Sequence, residues 1–279
     1  EIRQGGSDWL FLVNRRIVQQ TISGALGTTV ALVPGRAPLV ENDISPMSKK
    51  LKKLSDGDVW TRWNERMTRV RHELHYVYST RKKFNDVTSL FENNEKLKSM
   101  GCEVYEWMFR MWARDIVIAI RRELDNDTNT VCLGRLLDEM AQRPKVITRA
   151  RYLGDIPKDD FKYAMLSDTF DGFGIIRQSD TAPLTDYLDP VGIAADRRHL
   201  GKVAKSVLAY ANQLVAHRSE TEHVPVTLGD VNRTVDAIEE IFIKYYAIIV
   251  GPSLMGLEPS LIGNWMAPFE IPWLETEAQ

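Results

Sequence analysis

Apolar residues recur along most of this chain at steps of three and four, the spacing of amphipathic helices. The clearest case is 200–249, where two such stripes flank a short polar break. The first stripe comprises Leu200, Val203, Val207, Tyr210, Leu214 and His217, and the second comprises Leu228, Val231, Val235, Ile238, Phe242, Tyr245 and Ile249. Two amphipathic helices joined by a short loop predict an antiparallel hairpin. His217 would lie at its lip, beside the break.

Two further long helices are predicted upstream. The first begins near Asp58, behind capping candidates that include Ser55, and its apolar stripe comprises Trp60, Trp63, Met67, Val70, Leu74, Val77 and Phe84. The second, over 95–124, is apolar around most of its circumference, so we expect it at the centre of a bundle. Arg114 and Asp115 interrupt that surface. Because buried charges are costly unless paired, we expect an internal ion pair there.

The remaining segments are less regular. Leu133 to Met140 predicts a short helix, and between 145 and 190 prolines and glycines favour short helices that cover the bundle. No strand alternation longer than a few residues occurs. The predicted fold class is all-α: an antiparallel helical bundle with short additional helices and an extended C-terminal tail. We expect an N-terminal extension over 1–46, native or appended, the bundle over 47–251, and a tail with prolines and tryptophans over 252–279.

Composition narrows the possible functions. The chain has 279 residues and a net charge of -2, which gives no global case for nucleic-acid binding and would require a local basic patch. Cys102 and Cys132 lie in apolar surroundings, which favours reduced thiols and a cytoplasmic protein. No apolar run reaches the ~20 residues of a membrane span. No phosphate-binding glycine loop occurs, and His72 and His75, three apart on a predicted helix, have no clearly placed third ligand, so we predict no cofactor and no metal.

One stretch resembles a known family. The sequence from Tyr210 to Arg218 is Tyr-Ala-Asn-Gln-Leu-Val-Ala-His-Arg, and Val226-Thr227-Leu228 opens the next helix. Together they resemble the closing half of HEPN domains. The segment Arg122-Glu123-Leu124-Asp125, the segment from Leu133 to Asp138, and the tryptophan-rich ending are similar to the abortive-infection, AbiU-like branch of that superfamily. The resemblance covers about 59 to 273.

The resemblance implies a helical homodimer whose two motifs face each other across a cleft and cleave RNA without metal. It assigns catalysis to His217 and Asn212 and RNA binding to Arg218 and Arg122. An imidazole titrates near neutral pH and can move a proton, and a guanidinium can hold a phosphate. The implied role is in phage defence or as a toxin, with RNA or another defence protein as further partners.

The chain departs from the family motif at one position, because Ala211 stands where the motif has an arginine. Three alternatives stay open. Arg122 could supply the missing charge, which would preserve a metal-independent endoribonuclease. The protein could instead be a non-catalytic helical interaction module of a defence or toxin–antitoxin system. His217 could also serve structure alone, by capping the carbonyl groups at a helix end.

Overall fold

The computed structural model describes residues 53–99, 103–127, 129–178, 180–216, 226–251, 256–257 and 263–270. All of these residues belong to one compact unit, Ile44–Gln279. A separate unit, Glu1–Asp43, lies outside the described residues. The predicted extension over 1–46 therefore lies outside the described part of the chain, as do Cys102 and most of the predicted tail over 252–279.

Helices dominate the described chain, which confirms the predicted all-α fold. The α-helices are α1 (Asp56–Glu92), α2 (Glu95–Ser99), α3 (Glu103–Glu123), α4 (Leu133–Gln142), α5 (Arg149–Leu153), α6 (Phe161–Gly172), α7 (Pro190–Val203), α8 (Lys205–Ala216) and α9 (Leu228–Ile249). Short 3-10 turns occupy Pro144–Val146, Pro183–Thr185 and Ala267–Glu270. Two strands, β1 (Ile175–Ile176) and β2 (Tyr187–Leu188), pair antiparallel. Among the described helices, none combines the length and apolar character that crossing a membrane requires.

Helix α1 follows the sequence pattern closely. The Ser55 hydroxyl accepts a hydrogen bond from the Asp58 amide at 3.1 Å and so caps the first turn. The predicted stripe is buried from Trp63 to Phe84, with Trp63 and Met67 fully enclosed, while Trp60 at its start is half-buried. Further along, the ring of Phe84 stacks on Trp112 of α3, with ring centroids 3.9 Å apart. This stack attaches α3 to α1.

The centre of the bundle is α4 and not the helix over 95–124. That stretch divides into α2 and α3, and α3 leaves Val104, Trp107 and Met111 exposed. In α4, eight of the ten residues are buried, because α7 and α1 pack against it. The prediction of a central helix over 95–124 was wrong. Apolar residues around a helix show that several of its sides favour burial, but they do not show whether helices of the same chain bury all of those sides.

The predicted hairpin also differs from the structure. The first helix of the predicted hairpin is not continuous, because the chain breaks at Ala204 into α7 and α8. Helix α9 runs antiparallel to α7, with Lys244 contacting Asp196 at 2.7 Å near one end and Thr234 contacting the Val203 carbonyl near the other. Helix α8 instead packs mainly on α3. The start of α9 therefore lies beside the junction of α7 and α8.

Candidate functional site

The structure describes two of the four residues that the sequence nominated. Asn212 lies exposed on α8, and Arg122 lies exposed in the last turn of α3. No hydrogen bond links these two side chains. His217 and Arg218 lie outside the described residues. Ala211, at the position of the family arginine, is fully buried, so this position belongs to the core-facing side of α8.

A basic groove lies at the junction of α7, α8 and α9. It is open to solvent and has a volume of about 630 Å³. Its polar lining consists of His199, Lys202, Lys205, Ser206, Asp230 and Arg233, and Val203 and Ala209 form its apolar floor. We call these residues the basic groove. Four of its six polar side chains are cationic or can become so.

The break between α7 and α8 creates this groove. His199 and Lys202 are three residues apart and lie on the same exposed side of α7. After Ala204 the chain turns into α8, which adds Lys205 and Ser206 to the same surface. The first turns of α9 supply Arg233 from the opposite wall. The cations are therefore gathered by the three-residue spacing on α7, by the turn after Ala204, and by the pairing of α9 with α7.

The single carboxylate in the groove is already engaged. Thr227 and Asp230 form a capping box at the start of α9, in which the Thr227 amide donates to Asp230 at 2.9 Å. Arg233 donates to the same carboxylate at 2.5 Å. Partial burial favours the neutral acid, but the Thr227 hydrogen bonds and the Arg233 cation outweigh it and lower the pKa of Asp230. Asp230 therefore stays ionised and neutralises Arg233.

The other cations of the groove have no such partner among the residues that the structure describes. Within the described part of the chain, no carboxylate lies within ion-pair distance of Lys202 or Lys205, and none pairs with His199. Two lysine charges therefore face the groove, and no acidic side chain of the described ranges compensates them. Such a surface attracts an anion electrostatically, and ammonium and imidazole groups can donate charge-assisted hydrogen bonds to phosphate oxygens.

A second charged cluster is buried around α4. Glu139 accepts hydrogen bonds from Arg66 of α1 at 3.0 Å and from the Trp63 indole at 3.1 Å, and Arg135 lies 3.4 Å away. Burial lowers the pKa of Arg66, although the Glu139 carboxylate opposes this effect. Since Arg135 and Glu139 are enclosed, this cluster cannot meet a ligand, and we assign it to fold stability.

The same helix carries a second buried pair, between Asp138 and Arg197 of α7 at 3.5 Å. Glycine at position 134 makes room for it, because a Cβ atom there would lie 3.2 Å from the Arg197 guanidinium. The ion pair expected at Arg114 and Asp115 on α3 is not formed. Both residues are exposed, and Asp115 instead accepts a hydrogen bond from Tyr76 at 3.1 Å. Buried charges are instead paired on α4 and between Arg149 of α5 and Asp186, which lie 3.2 Å apart.

The sequence reasoning missed the basic groove. Its signal was available as a run of basic residues, Arg197-Arg198-His199 followed by Lys202 and Lys205, opposite the apolar stripe of the same stretch. The sequence does not predict that Arg233 also lines the groove. It reaches the groove because α9 pairs with α7, whereas the sequence predicted one unbroken helix as its partner.

Comparison with known proteins gives no information on function. No family model, no curated protein and no solved structure matches the chain. Among the described residues, no three side chains of His, Cys, Asp or Glu converge so that they could hold a metal ion.

Proposed function

We propose that this protein binds RNA, with the phosphate backbone held in the basic groove. The observation that carries the proposal is the gathering of Lys202, Lys205 and Arg233 on an open surface, where no carboxylate of the described residues pairs with either lysine. The whole chain has a net charge of only -2, so this local cluster stands out against a balanced background. Phosphate contacts by lysine supply most of the affinity of sequence-independent nucleic-acid binding.

The shape of the groove favours a polymer over a small metabolite. Small-molecule sites enclose most of their ligand, whereas this groove of about 630 Å³ is open to solvent. An extended single strand can pass through such a groove while successive phosphates meet Lys202 and Lys205. The choice of RNA, the homodimer and the role in phage defence or as a toxin come from the HEPN resemblance and belong to this proposal.

Cleavage is a separable part of the proposal. The resemblance assigns His217 and Asn212 to catalysis, with Arg218 and Arg122 as RNA contacts. The segment after α8 enters α9 through Thr227, which hydrogen-bonds to Asp230 of the groove. Because the proposal assigns phosphate binding to the groove lysines and proton transfer to His217, a His217→Ala variant should keep its RNA affinity and lose cleavage. A denaturing gel measures the cleavage. If the unmodified protein binds RNA and leaves it intact, the non-catalytic interaction module is favoured.

Binding is tested with two charge-reversed variants of equal net charge. In Lys202→Glu/Lys205→Glu, two groove cations become anions, and we expect the Kd for a fluorescent single-stranded RNA to rise by roughly a hundredfold or more. The matched control is Lys158→Glu/Lys162→Glu, which changes two exposed lysines outside the groove. Fluorescence anisotropy at fixed salt gives both values. Equal losses in the two variants would refute the groove as the RNA site.

A further inference from the structure

Helix α3 carries an apolar stripe that the described chain leaves uncovered. Val104, Trp107 and Met111 follow one another at steps of three and four and are 55, 62 and 53% exposed. Tyr76 of α1 extends this surface at 56% exposure, and its hydroxyl donates to Asp115, one turn beyond Met111. We call Val104, Trp107, Met111 and Tyr76 the α3 stripe.

The α3 stripe is not needed to attach α3 to its own bundle. The opposite face of the helix, with Trp112, Ile116 and Ile120, is buried against α1 and α8. Helix α3 is therefore apolar on two sides, and the described residues cover only one of them. Contiguous exposed apolar side chains of this size, framed by charges, mark surfaces that bind another protein.

The charges along α3 indicate what kind of protein fits. The first half of the helix carries the acids Glu103 and Glu106. The exposed or half-buried charges of the second half are Arg114, Asp115, Arg121 and Arg122, of which only Asp115 is acidic. Glu106 pairs with Arg110 at 3.0 Å, which leaves Glu103 at one end and Arg114 toward the other. This distribution complements itself when reversed in direction, whereas a parallel copy would set like charges together.

We propose that a second copy of this chain packs its α3 antiparallel on the α3 stripe, about a two-fold axis. Setting Trp107 against the partner's Met111 places Val104 at the level of the partner's Arg114. In this register Glu103 is level with the partner's Asp115, which already accepts a hydrogen bond from Tyr76, and lies one residue from the partner's Arg114, the cation placed to offset both acids. Two-fold symmetry repeats these contacts. This inference rests on the homodimer in the proposed function and supplies its surface, although neither the groove nor its lysines take part.

The test uses charge-swapped chains of the full protein and light scattering. Glu103→Arg places cations opposite cations in its own homodimer, and Arg114→Glu places anions opposite anions. For each variant alone, we expect the Kd of dimer dissociation to rise by roughly tenfold or more, because like charges across an interface repel each other. An equimolar mixture restores both pairs and should recover twice the chain mass. The loss in each variant alone is specific to the antiparallel arrangement, because a parallel copy would set residue 103 against residue 103 and like charges would already face each other in the unmodified protein. Recovery in the mixture shows that charge, and not misfolding, causes the loss.

Apolar variants test the stripe itself. Trp107→Lys should yield a monomer, whereas Phe161→Lys, at an exposed aromatic residue on α6, should leave the dimer intact. Circular dichroism confirms that each variant is folded. A dimer that survives Trp107→Lys, a mixture that stays monomeric, or an unmodified protein that is monomeric would each overturn the inference. In the last case, residues of 1–52 or a different protein would be the remaining candidates to cover the stripe.

The mass measurement separates this inference from the RNA proposal. Lys202→Glu/Lys205→Glu should lose RNA and keep twice the chain mass, because these lysines lie away from the α3 stripe. A dimer that binds no RNA would refute only the groove, and an RNA-binding monomer would refute only the interface.

Discussion

At the residue scale, Glu123 is an acid that caps a helix from a distance. It is buried at the end of α3, and its carboxyl group accepts a hydrogen bond from the Leu133 amide at 3.0 Å, in the first turn of α4. The residue before α4, Cys132, makes no side-chain cap, so Glu123 satisfies a donor that would otherwise be unpaired. Burial, with a smaller contribution from Glu73, raises the pKa of Glu123 to about 8 against the Leu133 hydrogen bond.

This raised pKa predicts a pH-dependent stability with a defined sign. The folded protein holds a proton on Glu123 that the unfolded chain releases near the ordinary carboxyl pKa. The contribution of this proton to the free energy of unfolding is therefore complete at low pH and is lost as the pH rises towards about 8. Glu123→Gln keeps an acceptor for Leu133 and removes the titration. Relative to the unmodified protein, the variant should gain up to ~1.4 kcal/mol per pH unit across this window.

Urea unfolding at several pH values and one protein concentration measures this difference. Glu65→Gln, on the exposed side of α1, is the matched control and should run parallel to the unmodified protein. A Glu123→Gln variant whose stability difference stays constant across the window would contradict the account.

At the scale of elements, the sequence predicts α1 well and α4 poorly. The stripe and the Ser55 cap of α1 are local signals, and the structure confirms both. The sequence of α4 is typical of an exposed helix, because it contains the charged residues Arg135, Asp138 and Glu139. Their partners Arg66 and Arg197 lie on helices far away in the chain, so no local pattern announces that these charges are paired and buried.

Removing one charge from this arrangement predicts a large loss of stability. Glu139→Gln keeps the shape of the side chain but leaves Arg66 and Arg135 without their buried carboxylate, so we expect a loss of ~3 kcal/mol or more. Asp236→Asn breaks a surface pair with Arg81 whose acid is 63% exposed, and should cost under ~1 kcal/mol. Urea unfolding compares the two variants. A similar small effect in both would show that the buried cluster does not anchor α4.

The hairpin illustrates a second limit at this scale. Alanine is the strongest helix former, so nothing in the local sequence marks Ala204 as the place where α7 ends. The break follows from packing, since α7 pairs with α9 and α8 with α3. A predictor that sees only periodicity therefore obtains the helices and misses the change of direction that builds the groove.

At the scale of the molecule, the two exposed surfaces lie on features that periodicity alone misjudges. The apolar circumference over 95–124 predicts a central helix, whereas in the structure one apolar side of α3, the α3 stripe, is exposed. The nominated residues Arg122 and Asn212 are exposed on separate helices, while His217 and Arg218 lie outside the described residues. Lys202 and Lys205 enter the account only through the geometry of the groove.

The salt dependence of RNA binding tests the central claim most directly, because it counts phosphate contacts. For single strands, log K falls with log salt with a slope of about -0.7 per neutralised phosphate. Replacing both groove lysines in Lys202→Gln/Lys205→Gln should therefore make the slope shallower by about 1.4, while Lys158→Gln/Lys162→Gln leaves it unchanged. A groove variant that binds more weakly with the original slope, or that binds as the unmodified protein does, would contradict the assignment of RNA phosphates to Lys202 and Lys205.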